Sequence, residues 1–159
     1  MTPANDNINI REAVAEDAVA LTELYRLLKV DPNIQVQPGR LIELRADPGS
    51  FLIVCEAGGG KPVGTVHVTL FPDAMYGNQP FAVLENIVIA EASRSRGIGT
   101  MLMNHVEEFC FSRGCSKIML LSNAQRGDAH RFFSRAGYSS SKKVGFVKYR
   151  GDYNPQTTD

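Results

Sequence analysis

The residues best equipped for chemistry are seven in a row, Arg94-Ser95-Arg96-Gly97-Ile98-Gly99-Thr100. They combine two guanidinium groups with two glycines, between an apolar run, Phe81 to Ala90, and a segment patterned as an amphipathic helix. A helix that starts there leaves its first backbone N–H groups without internal partners, and glycine lets an anion approach with no Cβ in the way. The helix dipole adds typically about 0.3–1 kcal/mol in the same sense. Arg94 and Arg96 add charge-assisted contacts, so the chemistry expected is phosphate binding, with a diphosphate as a suitable guest. Pattern alone equally allows a tight turn without a ligand. A dinucleotide loop would need a third glycine where Leu102 stands, and the Gly-Lys-Ser/Thr of a Walker loop is absent.

A second candidate is Glu85, which with Asn86 interrupts the apolar run. A carboxylate in apolar surroundings needs a partner, and it can serve as a proton acceptor. It can also be a structural carboxylate or point outward at a sheet edge. His67 alternates with Thr65 and Thr69, a pattern that suits either a cleft or a packed strand, while His105 and His130 fall on helical segments. Cys55, Cys110 and Cys115 are odd in number, and Cys55 lies inside the apolar FLIVC. A reducing compartment therefore fits better than a disulfide framework. Cys110 and Cys115 lack a second Cys/His pair at zinc spacing, so no metal is expected.

The elements that position these residues follow from periodicity. Ile8 and Ile10 open a short strand, and Asp17 starts a helix with Leu21, Leu24 and Leu28 on one stripe, ending near Val30. An irregular polar stretch follows, then a short helix over 40–46. Strands over 51–56 and 63–71 form a hairpin about Gly58-Gly59-Gly60, with Val66, Val68 and Leu70 on one face. Loop chemistry fills 72–80, and the strand over 81–90 is central. The helix after Thr100 aligns Ile98, Leu102, Val106 and Phe109 and stops at Arg113-Gly114. A strand over 117–122, a helix over 128–135 and a strand from Tyr138 to about Tyr149 complete a mixed α/β order, before a flexible tail over 151–159.

The 159 residues carry 17 Lys+Arg against 17 Asp+Glu with 43% apolar residues, which fits one globular domain. Zero net charge gives no global footprint for nucleic acid or anionic lipid. The start, MTPANDNINIREA, has neither the basic nor the apolar part of a signal peptide, and no run approaches the ~20 apolar residues of a membrane span. A cytoplasmic location is expected.

The stretch LENIVIAEASRSRGIGTMLMNHVEEFCFSRGCSKIMLLSN, followed by DAHRFFSRAGY, resembles the cofactor-binding half of the GNAT N-acetyltransferase superfamily over residues 81–138. The family's pyrophosphate signature, Arg or Gln, two variable residues, Gly, one variable residue, then Gly or Ala, is met by Arg94, Gly97 and Gly99. The Ala-x-x-Phe-x-x-x-x-Gly-aromatic segment at 129–138 supports it. The resemblance implies the GNAT acyl-CoA N-acyltransferase fold, a twisted mixed sheet flanked by helices. Its two central strands splay to admit the pantetheine arm of acetyl-CoA. The acceptor side would occupy about 1–80 and the acetyl-CoA side about 81–150.

By the same resemblance, Ile87, Val88 and Ile89 would pair with the pantetheine amides. The turn from Arg94, Ser95 and Arg96 through Gly97, Ile98, Gly99 and Thr100 would hold the diphosphate, and Asn123, Ala129, Phe132 and Phe133 would flank the carrier. Glu85 would accept the amine's proton, directly or through water, and the Val88 N–H would hold the oxyanion. Relatives commonly place a Tyr, as thiolate acid, where this chain has Phe133. His130, Ser134, Tyr138 or solvent would substitute, or transfer would be poor. The implied activity is N-acetyl transfer from acetyl-CoA to a primary amine of a small molecule or peptide, and a homodimer is common in the family. Phe133 leaves a non-catalytic acyl-CoA-binding or regulatory domain as the alternative, and a redox or nucleotide-binding α/β domain is disfavoured by the glycine spacing.

Overall fold

Five strands lie side by side in chain order: β1 (Ile8–Glu12), β2 (Ser50–Ala57), β3 (Pro62–Phe71), β4 (Phe81–Ile89) and β5 (Ile118–Leu120). Neighbours are antiparallel except β4 and β5, which run parallel. The computed structural model describes residues 7–155. It divides into two compact units, Met1–Leu120 and Leu121–Asp159.

In the first unit, helices α1 (Ala18–Arg26), α2 (Pro38–Ala46) and α3 (Ile98–Ser112) cover the sheet. The register decides which side chains meet which helix. Leu52 stands opposite His67 and Val54 opposite Thr65, whereas Phe51 pairs with Val68 and Ile53 with Val66. Because side chains alternate along a strand, these are two different faces. Leu52 and Val54 pack with Leu21 and Leu24 of α1 and Leu41 of α2, so His67 and Thr65 share the α1/α2 face. Phe51 meets Phe109 of α3, with ring centroids 4.7 Å apart, which puts the other face under α3. Ile98, Leu102, Met103, Val106 and Cys110 are the buried stripe of that helix.

Two lengths differ from expectation. Helix α1 ends at Arg26 rather than near Val30, because Leu27 and Leu28 donate to carbonyls only three residues back and tighten the last turn. Val30 is fully exposed and precedes Asp31-Pro32, so nothing rewards continuing the helix. Strand β5 is three residues long rather than six, pairing Ile118, Met119 and Leu120 with Ala82, Val83 and Leu84. Helix α2 begins at Pro38, whose missing N–H costs nothing at a helix start.

At one corner of this unit Arg11 bridges Asp17 and Glu56. Burial pushes the Asp17 carboxyl up, but the Arg11 guanidinium and the Val14 N–H outweigh it and hold it below its ordinary value.

In the second unit, α4 (Gly127–Arg135) forms as its pattern predicts and ends before Gly137, which takes the left-handed φ of 91°. The strand expected from Tyr138 to Tyr149 is absent. Ser139 and Ser141 hydrogen-bond locally, competing with an extended ladder. Val144, Phe146, Val147 and Tyr149 are exposed. The expected flexible tail contains a 3-10 turn at Arg150–Asp152, and residues 156–159 lie outside the described ones. Among the described residues no helix is long and apolar enough to cross a membrane.

Candidate active site

The site begins where β4 loses a neighbour. Its pairing with β5 stops at Leu84, while β3 stays alongside through Ile89. Residues 85–89 therefore have no strand on the β5 side, and backbone polar groups there are open to a ligand. This is the splay that the resemblance implies.

At the same point β4 bulges. Thr65 and His67 of β3 pair with Val88 and Glu85, so Asn86 and Ile87 together stand opposite Val66. Asn86 takes φ 53°, a left-handed conformation that asparagine tolerates better than most residues. The extra residue resets the alternation, so Glu85 and Val88, three apart, share the α1/α2 face. Val88 is buried in the core of that face. Glu85 is exposed and makes no hydrogen bond or ion pair among the described residues, so the partner expected for a carboxylate in this strand is not there. Its side chain lies on that face but is left uncovered. Ile87 and Ile89 are half-buried.

The strand then feeds the turn. Ala90 donates to the Val63 carbonyl (2.7 Å), and a 3-10 turn over Glu91–Ser93 follows. Arg94 folds back so that its Nε donates to the Ile89 carbonyl (3.0 Å). One donor of this guanidinium thus fastens the turn to the end of β4 rather than reaching outward. Ser95 at φ 60° and Gly97 at φ 77° turn the chain into α3. Gly97 is the N-cap and offers no side chain, leaving the first N–H groups of α3 uncapped by it. Arg94, Ser95, Arg96, Gly97 and Thr100 are exposed, Gly99 is half-buried and Ile98 anchors the turn in the core. The glycine at 97 thus serves backbone conformation as well as ligand approach.

On the α1/α2 face lies a cavity of about 450 Å³. Its walls include Tyr25, Leu52, His67 and Asn86, together with parts of α2 and of the irregular segment 33–37. Side chains of α1 pin that segment. Thr22 Oγ1 accepts from the Val36 N–H (2.9 Å), and Arg26 donates to the Ile34 carbonyl (3.2 Å). His67 Nε2 lies 2.6 Å from the hydroxyl of buried Ser50. Burial pushes the His67 imidazole below its ordinary value, so the ring is neutral at neutral pH. Burial pushes the Tyr25 hydroxyl up to about 12, opposed by a hydrogen bond with Thr65. Sequence reasoning left His67 open between a cleft and a packed strand, and missed Tyr25 and Ser50. The consecutive polar pair Glu85-Asn86 inside an apolar strand was the available signal for the bulge.

In the second unit, Asn123 acts as a turn former. Its Oδ1 accepts from the Gln125 N–H (2.9 Å) and its carbonyl lies 2.9 Å from His130 Nε2. His130 is thereby committed to local structure. Phe133 packs edge-on against Phe132 and Tyr138, and Ala129, Phe132 and Phe133 are half-buried. Burial pushes the Cys110 thiol up to about 12 and raises those of Cys55 and Cys115, so none is an activated nucleophile.

These features match a known family. The sequence model of the acetyltransferase (GNAT) family aligns with residues 21–138, covering the turn, the bulged strand and α4. This chain belongs to the GNAT family. It is an acetyltransferase, and the GNAT fold is that of its solved neighbours. A putative acetyltransferase from Agrobacterium tumefaciens str. C58 is 30% identical with a TM-score of 0.79, over 89% of this chain and 99% of that one. The aminoglycoside N-acetyltransferase AAC(6')-Iy, solved in complex with CoA, has a TM-score of 0.76 at 17% identity, over 94% and 99% of the two chains, a likeness of fold alone. Among GNAT relatives by sequence, aminoglycoside N(6')-acetyltransferase type 1 of Serratia marcescens is 27% identical over 108 residues, 67% of this chain and 74% of that protein.

Proposed function

We propose that this GNAT protein transfers the acetyl group of acetyl-CoA to a primary amine of a small molecule or peptide by direct attack. The observation that carries the reading is the open edge of β4 beyond Leu84, with the uncapped start of α3 at its end. The donor set fits the carrier: main-chain groups face an amide-bearing arm, and exposed N–H groups with Arg94 and Arg96 suit a diphosphate. The relative from Serratia marcescens supports a small-molecule acceptor.

Acetyl-CoA supplies a thioester carbon open to attack. Ile87, Val88 and Ile89 hold the arm through their backbone, and the turn 94–100 holds the phosphates. The Val88 N–H expected to hold the oxyanion points at Thr65 of β3, because Ala90 two residues on donates to Val63, so an N–H of the open edge, at Ile87 or Ile89, stabilises the oxygen on which negative charge develops. An alkylammonium of ordinary pKa about 10.4 is deprotonated in only a small fraction of molecules at neutral pH. A proton acceptor is therefore needed, and Glu85, exposed beside the cavity wall at Asn86, takes that proton through water. Within the second unit Asn123 shapes the turn ahead of α4, which carries Ala129, Phe132 and Phe133. With Phe133 in place of a tyrosine, solvent returns the proton to the departing thiolate.

Thiol release from acetyl-CoA, measured against a broad panel of amines, tests this. Turnover that falls about a hundredfold in Glu85→Gln is expected. Failure to bind acetyl-CoA in calorimetry would remove the reading.

A further inference from the structure

The cavity under α1 and α2 has a chemical character that narrows the acceptor. Its polar wall consists of Asn33, Gln35, Gln37, Arg40, His67 and Asn86, above a floor of leucines from α2 and β2. Among the described residues no aspartate or glutamate lines it. The carboxylates near it are engaged or off the wall. Glu43 pairs with Arg40 (2.7 Å), and Asp47, which acts on His67 only through space, accepts from the Gly49 N–H (2.8 Å). Glu85 stands at the edge, opposite His67 in the sheet.

This balance favours one kind of amine. A single reacting ammonium can be served by Glu85. A second or third ammonium would enter a cavity that offers amides, a neutral imidazole and a guanidinium, with nothing to offset its lost hydration. Arg40 has five donor positions, of which Glu43 meets one nitrogen, so the guanidinium can also receive a carboxylate or an amide oxygen. Asn33, Gln35 and Gln37 supply both donors and acceptors for such a group.

We propose that this cavity binds a monoamine whose other polar group is a carboxylate or carboxamide, in the class of amino acids and their amides, and that it disfavours polyamines such as aminoglycosides. The proposal rests on the acetyl-transfer reading above. It departs from the substrate named for the Serratia marcescens relative, because the cavity wall lacks the anionic groups a polycation needs.

The test uses the full chain with two readouts: calorimetry of each amine in the presence of CoA, and thiol release from acetyl-CoA. The probes are free amino acids, their carboxamides and an aminoglycoside. The monoamine acids are expected to show kcat/KM at least about tenfold above the aminoglycoside, the scale of one charge-assisted hydrogen bond. Arg40→Ala should raise KM for the acids about tenfold while changing KM for the carboxamides less, and Arg40→Glu should shift preference toward the aminoglycoside. Acetyl-CoA affinity should stay unchanged in both variants. An aminoglycoside preferred tenfold by the parent protein, or acids indifferent to both Arg40 variants, would overturn the assignment of the cavity. Binding heat from the acids without thiol release from any amine would support the cavity assignment and overturn the transfer reading instead. Absence of both heat and turnover with every monoamine would overturn the cavity assignment.

Discussion

Gly97 is the position at which stability and carrier binding can be separated. It sits at φ 77° and ψ 1° directly before α3. Alanine there is held in the left-handed region at a cost of about 1–2 kcal/mol. No heavy atom lies within 4 Å of the Cβ it would carry, so strain rather than collision sets that cost. For a chain of this size the loss lowers Tm by roughly 2–8 °C. Acetyl-CoA binding responds to a different change. A methyl group beside the first N–H groups of α3 displaces phosphate contacts worth about 1.5–3 kcal/mol each. Calorimetry should therefore give a Kd at least about tenfold weaker, which is ~1.4 kcal/mol. Asparagine accepts the left-handed region more readily, so Gly97→Asn should recover most of the stability and keep the weak binding. Gly99→Ala is the control. Alanine is favoured over glycine by about 0.5–1 kcal/mol within a helix, and the GNAT signature admits alanine at that position, so this variant should be more stable and bind as the parent does. Undiminished acetyl-CoA affinity in both Gly97 variants would refute the assignment of the diphosphate to this turn.

Three further outcomes are expected. Glu85→Gln should lower kcat about a hundredfold with KM for acetyl-CoA unchanged, and a kcat within threefold of the parent would remove Glu85 as proton acceptor. Phe133→Tyr should raise kcat by about tenfold if proton return to the thiolate limits turnover, and an unchanged rate with a normal Tm would show that solvent already meets that need. Asp17 is held below its ordinary 3.8, so its stabilising contribution is present above pH 3.8 and is lost as pH falls through the lower folded value. Asp17→Asn should cost about 2 kcal/mol at neutral pH and flatten the acid limb of denaturant midpoint against pH. Parallel acid limbs for parent and variant would contradict this.

Where local pattern and tertiary packing agree, the chain was readable from its residues. Strands β2, β3 and β4 appear where alternating or continuous apolar runs place them, and α3 starts and stops at Gly97 and Gly114. The turn 94–100 was legible because arginine and glycine at that spacing have few other uses between a strand and a helix. Other features depend on partners that are remote in sequence. Lys117 to Ser122 reads as a full strand, but only the three residues with β4 beside them become one. The segment after Tyr138 carries strand-like alternation, yet its serines bond locally and no ladder forms. Glu85 looked enclosed because its neighbours in sequence are apolar, yet nothing packed on its face of the sheet covers it. The largest single share of the cavity wall comes from segment 33–37, whose position is set by hydrogen bonds to Thr22 and Arg26 that no periodicity encodes.

The surplus residue also makes this strand sensitive to length in a way that composition would not reveal. It works as a phase shifter: Asn86 adds half a pleat, and everything downstream inherits the offset. Removing that one position would leave Glu85, Ile87 and Val88 opposite His67, Val66 and Thr65 in an unbroken ladder, so Val88 would keep its side while the bulge and its left-handed turn of backbone disappeared. An apolar substitution here strains a left-handed backbone, whereas a single-residue deletion erases the bulge itself while leaving the hydrophobic content almost untouched.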